Sequence, residues 1–227
     1  MLENLVKTKR HYATSGFQPR GNFYIVYKGE KGGDLMATKF VNGAWTEPTP
    51  LPEPINSDYW ETSAYIVPDG SMIFFVSDRP GGYGSRDIWV AYFKDNKWSN
   101  PENPGPSINT TFDEESPFFL NDTLFFASKG HNSTGGYDIF FSIRGEDGAF
   151  APAVNVGPPI NSPQDEAHFV LSADRTYALF TSNRQGTKGS YDIFIAYFKK
   201  YEIPQVVAIQ TNFPLSAKTS RITIINT

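Results

Sequence analysis

The 227-residue sequence contains no cysteine, and this absence excludes disulfides, thiolate zinc sites, a thiol nucleophile and a lipid-modified cysteine. It also has no excess of positive charge: the net charge is −4 and the isoelectric point is about 5.4. We therefore expect no nucleic-acid partner, because such partners need a clustered basic face. The longest apolar runs, such as MIFFV at 72–76, have the length of a strand and fall short of the roughly 18 residues of a membrane span. We therefore expect no direct membrane insertion.

Aromatic and turn-forming residues dominate instead. The chain contains 19 Phe, 12 Tyr, 19 Gly and 17 Pro. Aromatic residues favour strands, whereas Gly and Pro favour the turns between them. This composition predicts an all-β chain.

Three sequence markers recur with one common period. The first is an Asn followed five residues later by a Glu, as in INSDYWE, INTTFDE and INSPQDE; its Asn residues are Asn56, Asn109 and Asn161, spaced 53 and 52 residues apart. The second is an Asp that opens an apolar run, at Asp34, Asp87, Asp138 and Asp192. The third is an aromatic residue, at Trp45, Trp98 and Phe150. A shared period of this length predicts a structural repeat.

Each period can be divided into four short strands, which is the content of one β-propeller blade. The repeat predicts four blades, with innermost strands near residues 12–17, 61–67, 114–120 and 166–172. The first repeat is degenerate, because Lys7 and Tyr12 stand where the others have Asn and Glu. The fourth lacks its aromatic residue, because Ile203 takes that position. The fold class predicted is an all-β propeller of four-stranded blades.

The stretch PDGSMIFFVSDRPGGYGSRDIW resembles the PD-type (PD40) propeller repeat of TolB-like proteins. ALFTSNRQGTKGSYDIF matches the same pattern, whereas LFFASKGHNSTGGYDIF departs from it at Lys129-Gly130. The INSxxxE turn and the long glycine-rich loop are similar to those of PorE-like proteins of Bacteroidota. Proteins of that family are periplasmic, are associated with the outer membrane, and also carry a regulatory-like sandwich and an OmpA-like domain.

This resemblance implies a domain organisation. PLSAKTSRITI, near the end of the chain, resembles the opening of the carboxypeptidase-regulatory-like sandwich. The expectation is a propeller over residues 1–203, followed over 204–227 by a linker and the first strands of the sandwich, within an internal fragment of a longer protein. The propellers of PorE-like proteins also imply a further blade, which would lie upstream of Met1.

The same resemblance implies a noncatalytic scaffold for protein–protein interaction in the periplasm, associated with the outer membrane or with a type IX secretion or envelope complex. Its partners would be envelope proteins, and peptidoglycan would be reached through an OmpA-family domain outside this chain.

Two interpretations of the repeated carboxylates are open at this stage. Each Glu begins an innermost strand, where it can accept backbone N–H groups or face the central channel and hold a cation or a small ligand. The candidate channel residues are Glu61, Glu114 and Glu166. The preceding Asn residues are expected to bond their own backbone in a turn, and the Asp residues that open the third strands to satisfy loop amides or to pair with Arg79 and Arg184.

Signals of catalysis are weak. His11, His131 and His168 lack the HExxH spacing, and the chain contains neither a GxSxG elbow nor a phosphate-binding loop. A pair of the repeated glutamates could act as acid and base in a carbohydrate-active or hydrolytic propeller. However, catalytic carboxylates need unlike environments, and equivalent repeat positions are expected to be alike. We therefore expect no enzyme and no cofactor, with the hydrolytic propeller as the alternative.

The loops between the second and third strands are long and glycine-rich, at residues 78–86, 129–137 and 183–191. Long loops on a rigid scaffold commonly carry function, so they are expected to share one propeller face that binds partners. The candidate interaction residues are Arg79, Arg86, Lys129, Arg184 and Lys188. Their charge would suit an acidic protein surface or an anionic glycan, unless these are solvated turns whose arginines pair with neighbouring Asp residues.

Overall fold

The computed structural model describes residues 12–17, 23–28, 33–199 and 221–225, and the side chains discussed below lie between residues 33 and 198. These ranges contain strands and turns and no helix. The described part of the chain thus has no helix that could cross a membrane.

The strands form four antiparallel sheets in chain order. The first sheet contains β1 (Tyr12–Phe17), β2 (Phe23–Lys28), β3 (Asp34–Val41), β4 (Ala44–Trp45) and β5 (Thr49–Pro50). The second contains β6 (Glu61–Ile66), β7 (Met72–Ser77), β8 (Asp87–Lys94) and β9 (Lys97–Trp98). The third contains β10 (Glu114–Leu120), β11 (Thr123–Ser128), β12 (Asp138–Ile143) and β13 (Val154–Asn155). The fourth contains β14 (Glu166–Leu171), β15 (Tyr177–Ser182), β16 (Asp192–Lys199) and β17 (Arg221–Ile225).

The second, third and fourth sheets confirm the predicted four-stranded blades, and the first sheet carries a fifth short strand, β5, that pairs with β3. The innermost strands β1, β6, β10 and β14 begin at the predicted residues and end within one residue of the predicted bounds. The register also repeats, because the last residue of each second strand pairs with the Asp that opens the third: Ser77 with Asp87, Ser128 with Asp138 and Ser182 with Asp192. The sequence period is therefore a structural period.

Two tight hairpins carry the predicted turn residues. Asn42 and Gly43 both have positive φ, at 52° and 81°, and so do Asp95 and Asn96, at 52° and 60°. Two consecutive positive φ values define the type I′ turn, whose twist matches that of the strands it joins. The expected third hairpin is longer, because Arg144 pairs with Phe150 across the intervening residues.

Side chains alternate between the two faces of each sheet, and each face packs on a neighbouring sheet. In the second sheet, Phe75 and Trp89 pack with Leu35 of the first sheet, whereas Phe74 and Ile88 pack with Phe126 of the third. A third cluster joins the third and fourth sheets through residues such as Ile139 and Phe180. The sheets are therefore stacked face to face in chain order, as propeller blades are.

The rim aromatics are only half-buried. Trp98 packs edge-on against Phe93, with ring centroids 5.0 Å apart, and Phe150 contacts Phe74 at 6.2 Å. Trp45, Trp98 and Phe150 all retain partial exposure, because each lies on the short outermost part of its sheet. Phe150 and Trp98 nevertheless pack against the buried clusters that join neighbouring sheets.

Strand β17 lies in the fourth sheet, where it pairs with β16 from Ile195↔Ile225 to Lys199↔Arg221. The sequence assigned these residues to the beginning of a following sandwich. Residues 200–220 and Ile203 lie outside the described residues, as do Met1 and Lys7. The division at residue 203 and the upstream blade stay predictions.

Candidate functional site

Each repeated Asn bonds the preceding sheet. The side-chain oxygen of Asn56 accepts the Leu35 N–H at 2.9 Å, while its amide donates to the Leu35 carbonyl at 2.9 Å. Asn109 makes the same pair of bonds with Ile88, and Asn161 makes it with Ile139. The expected bond to its own turn is present at Asn56, whose amide also donates to the Leu51 carbonyl at 2.9 Å. The bonds to the preceding sheet were not expected: the amide imitates a strand neighbour for the third strand of that sheet, which joins one repeat to the next.

Each repeated Glu closes its own turn. Glu61 accepts the Ser57 N–H at 3.1 Å, the Ser57 hydroxyl at 2.7 Å and the Ser77 hydroxyl at 2.8 Å. Glu114 and Glu166 accept the equivalent groups of their repeats, from Thr110 with Ser128 and from Ser162 with Ser182.

The relative exposure of Glu61, Glu114 and Glu166 is 0%. None of the three carboxylates has surface with which to line an open channel. The geometry matches the backbone-binding interpretation, in which the carboxylate satisfies buried donors.

Arg79 belongs to the buried hydrogen-bond network around Glu61. It donates to Glu61 at 2.9 Å and to the carbonyls of Pro54 at 3.0 Å and Ile55 at 2.6 Å, and it lies 4.8 Å from the centre of the Phe75 ring. Its side chain is 11% exposed. The sequence suggested that Arg79 pairs with a neighbouring Asp, but its anionic partner is Glu61.

Arg184 repeats this arrangement in the fourth sheet. It donates to Glu166 at 3.1 Å and to the carbonyls of Pro159 and Ile160, and its side chain is 17% exposed. The two arginines contribute little to an accessible positive face.

The hydrogen-bond network around Glu114 in the third repeat is different, because Lys129-Gly130 replaces the Asp-Arg or Asn-Arg pair of the other repeats. His131 takes the place of the arginine: its Nε2 donates to the carbonyl of Ile108 at 2.8 Å, and its ring contacts Phe126 and Phe140. The histidine makes no ion pair with Glu114. Burial, opposed only by the bonds from Thr110 and Ser128, raises the pKa of Glu114 from its ordinary 4.5 to about 7.

The aspartates that open the third strands hold the long loops. Asp87 accepts the N–H groups of Tyr83 at 2.9 Å and Gly84 at 3.1 Å, and Asp138 accepts that of Thr134 at 2.8 Å. Asp192 accepts the Lys188 N–H at 2.9 Å. The loop-amide interpretation of these residues fits, whereas pairing with Arg79 or Arg184 is not found among the described residues.

The long loops lie along one edge of the stacked sheets. The carbonyl of Arg86, at the end of the loop in the second sheet, accepts the N–H of Glu114 at the beginning of the third sheet. The carbonyl of Tyr137 accepts that of Glu166 in the same way. The loops of the second and third sheets therefore abut the entrance turn of the next sheet, and these loops and turns together form one continuous surface.

Two of the candidate cations on this edge are neutralised. Arg86 contacts Glu115 at 2.8 Å and Asp113 at 3.1 Å, and Lys129 contacts Asp113 at 2.9 Å while lying 4.6 Å from the Tyr137 ring centre. Burial raises the pKa of Asp113, but hydrogen bonds from Lys129 and Arg86 outweigh it and leave that pKa below its ordinary value.

Burial raises the pKa of Glu115 despite the adjacent Arg86. The fifth candidate, Lys188, is exposed and forms no ion pair with any residue that the structure describes.

The same edge carries a group of exposed aromatic rings that the sequence analysis missed. They lie in the entrance turns and long loops and are 43–57% exposed; we call them the aromatic face: Tyr59, Trp60, Tyr83, Phe112 and Tyr191. Sequence reasoning counted aromatics only as strand and core residues. The available signal was their position beside Asp and Gly in the turns DYW, TFD and GGY, outside any alternating run.

No family model and no curated protein matches the chain. Several solved structures are similar to this protein. One is TolB from Acinetobacter baumannii, with 14% identity and a TM-score of 0.55 over 84% of this chain and 42% of that one. It is similar to a chain of the nidogen/laminin complex, with 12% identity and a TM-score of 0.50 over 80% of this chain and 59% of that one.

A thermostable family-43 glycoside hydrolase matches with 14% identity and a TM-score of 0.49, over 88% of this chain and 74% of that one. At such identities the likeness shows the fold alone, which is a TolB-like β-propeller. The chain spans less than half the length of that TolB.

Proposed function

We propose that this propeller is a noncatalytic scaffold that binds proteins of the bacterial envelope through its aromatic face. The observation that carries the proposal is the group of five exposed rings on one edge, on a framework whose repeated carboxylates and arginines are occupied internally. Tyr and Trp are enriched among the residues that dominate protein–protein binding, because they bury a large apolar area at low entropic cost.

The framework supports this role by keeping the loops in place. Asp87 binds two amides of the 78–86 loop, and Gly84 lies so close to the Phe112 carbonyl that a Cβ atom at this position would clash with it. Loops held in this way lose little conformational entropy when a partner binds.

We further propose a periplasmic location associated with the outer membrane, in a PorE-like protein of Bacteroidota that takes part in type IX secretion or another envelope complex. The resemblance of the INSxxxE turn and the PD-type repeat to that family supports this assignment. Peptidoglycan would be bound by an OmpA-family domain outside this chain.

The test compares exposed aromatic positions on the loop edge, Trp60 and Phe112, with Phe93 at the hairpin end of the second sheet. The protein is immobilised and incubated with envelope extract, as wild type, as a Trp60→Ser/Phe112→Ser variant and as a Phe93→Ser control. Phe93 is 43% exposed but lies at the hairpin end of β8, away from the long loops. We expect the double variant to lose the partners that wild type and control retain. Equal capture by all three proteins, with equal melting temperatures, would eliminate the aromatic face as the binding surface.

Charge is tested at Lys188 alone, because reversing Lys129 would also break its contact with Asp113. If the partner surface is acidic, Lys188→Glu should weaken capture and leave stability unchanged. A salt-insensitive interaction that tolerates this change would indicate that the aromatic rings act without electrostatic help.

A second candidate function is glycan binding, with or without hydrolysis, because exposed aromatic rings also offer apolar faces to sugars. A glycan array and a turnover assay distinguish it from protein binding. Turnover that disappears in Glu114→Ala while the fold is retained would favour the hydrolytic alternative. Glycan binding that depends on Trp60 without turnover would favour a lectin-like scaffold.

A further inference from the structure

A cleft opens between the third and fourth sheets, at the end opposite the long loops. Its volume is about 390 Å³, within the roughly 300–1,000 Å³ of small-molecule sites in proteins. Its walls and mouth include these side chains: Phe125, Phe141, Phe169, Leu171, Phe198 and Arg175. The cleft is therefore large enough for a small ligand, and it is lined mainly by phenyl rings.

The cleft exists because the fourth sheet has smaller side chains than the third at two equivalent positions. In the third sheet these positions hold Phe119 and Leu124, which pair with each other. In the fourth sheet they hold Leu171 and Ala178, which pair in the same register. Less side-chain volume therefore faces the preceding sheet, and the space between the third and fourth sheets is incompletely filled.

The neighbouring interface, between the second and third sheets, is filled. Phe74 of the second sheet stacks on Phe119 with ring centroids 5.0 Å apart, meets Phe150 edge-on at 6.2 Å, and is 0% exposed. Its counterpart in the third sheet is Phe125, by their register with the paired Ser and Asp. Phe125 is only half-buried and lines the cleft together with Leu171. A ring that is enclosed in one interface thus borders an open space in the next.

Arg175 lies at the mouth of the cleft with a free guanidinium. It is exposed, and its side chain forms no hydrogen bond or ion pair with any residue that the structure describes. The adjacent carboxylate of Asp174 is held by its own turn, because it accepts the Ser172 hydroxyl at 2.7 Å and the Thr176 N–H at 3.1 Å. Among the described residues that line the cleft, Arg175 carries the one charge.

The backbone of Arg175 gives an independent indication of a ligand. Its φ is 57°, in the left-handed region. The equivalent residue of the second sheet is Gly70, with a φ of 77°, since each lies two residues before the second strand of its sheet. Glycine adopts this conformation without strain, whereas arginine does not. The fourth repeat thus holds a strained arginine where the turn needs only a glycine, and residues of this kind are concentrated at ligand sites.

We propose that the cleft binds a small aromatic carboxylate, whose ring packs among the phenyl rings and whose carboxylate binds the guanidinium of Arg175. Aromatic rings favour offset-stacked and edge-to-face contacts with one another, and the cleft offers such faces from both sheets. A guanidinium binds a carboxylate through two parallel N–H donors. The anion would remain at the solvated mouth, so its desolvation would cost little.

The test titrates the 227-residue chain with naphthoate and with its neutral counterpart naphthamide, by isothermal titration calorimetry. We expect the wild type to bind both probes and to bind naphthoate more tightly. Arg175→Gly should weaken naphthoate binding by about 10-fold or more and change naphthamide binding by less than about 2-fold, because only the charge-assisted bonds are lost. This variant should fold with an unchanged circular dichroism spectrum, because Gly70 already occupies the equivalent position.

Leu171→Phe tests the location, since it places in the fourth sheet the ring that the third sheet has at Phe119. The variant should fold and bind neither probe, because the larger side chain fills the cleft. Trp60→Ser/Phe112→Ser, on the aromatic face at the other end of the sheets, should bind both probes like the wild type. A wild-type protein that binds neither probe would overturn the proposal. Equal weakening of both probes by Arg175→Gly, or unchanged binding by Leu171→Phe, would overturn it as well.

Discussion

The second and third repeats solve the same packing problem with different chemistry. In the second, buried Glu61 is paired with Arg79, which also binds two carbonyls and stacks on Phe75. In the third, His131 binds one carbonyl and packs on the equivalent rings, but Glu114 has no cation among the described residues. The comparison separates the packing role of the arginine from its charge. A histidine takes over the packing role. The charge has no replacement, and burial, together with the nearby Asp87 carboxylate, raises the pKa of Glu114 to about 7.

The largest expected effect comes from breaking the buried ion pair between Arg79 and Glu61. Arg79→Ala leaves Glu61 buried without a cation and removes the donors to Pro54 and Ile55. We expect a loss of about 3–5 kcal/mol in the free energy of unfolding, because one member of a buried pair is left alone. Urea denaturation measures it, with Lys188→Ala as the exposed control. A loss no larger than that of the control would show that the bonds of Arg79 do not stabilise the sheet.

Next in size is the pH dependence of the third repeat. Between pH 4.5 and about 7 the folded protein keeps a proton on Glu114 that the unfolded chain has already released. Stability therefore falls as pH rises through that window. Glu114→Gln removes this dependence. The variant should gain up to about 3 kcal/mol relative to wild type between about pH 4.5 and 8. Denaturation curves at several pH values measure the gain, and parallel curves for the two proteins would contradict the assignment.

Removing the histidine should cost less than removing the arginine. His131→Ala leaves the buried carbonyl of Ile108 without its donor and leaves a cavity beside Phe126 and Phe140. It leaves no charge unpaired. We expect a loss of about 2 kcal/mol. The loss should be the same whether or not Glu114→Gln accompanies it, and a double-mutant cycle measures this coupling. Strong coupling would mean that the histidine acts on the carboxylate after all.

The smallest effects come from a matched pair of glycines. Gly84→Ala forces a Cβ against the backbone of the next sheet and should destabilise the fold by about 1 kcal/mol or more. Gly189→Ala meets none of the described residues within 4 Å and should change stability by less than about 0.5 kcal/mol. Thermal melts measure both. If Gly189→Ala proved as costly as Gly84→Ala, a neighbour would already adjoin the fourth sheet.

The strands and their order were predictable because the apolar runs, the type I′ hairpins and the 53-residue period are local properties of the sequence. Contacts between repeats were not. Nothing local indicates that Asn56 bonds Leu35 in the preceding sheet, 21 residues away. The substitution of Arg by His131 also escaped the motif, because the histidine lies one residue further along the repeat and reaches the same carbonyl position from there.

The position of the long loops was predictable from the sequence, but the side chains that they expose were not. The long loops do lie on one edge, as their place between second and third strands implied. The cations chosen for that edge turned out to be mostly paired, because opposite charges on adjoining turns, such as Asp113, are brought together only by the stacking of sheets. The aromatic rings of the turns remained, since a turn residue has no strand partner to bury it.

The most direct test of the account is photo-crosslinking in the native host. A photoreactive phenylalanine analogue is placed in the full-length protein at Trp60 or Phe112 on the aromatic face, or at Phe93 on the opposite end of the second sheet. The account predicts covalent adducts with envelope proteins from Trp60 and Phe112 and none from Phe93. Adducts from Phe93 alone, or equal adducts from all three positions, would contradict the claim that the loop edge of this propeller is its docking surface.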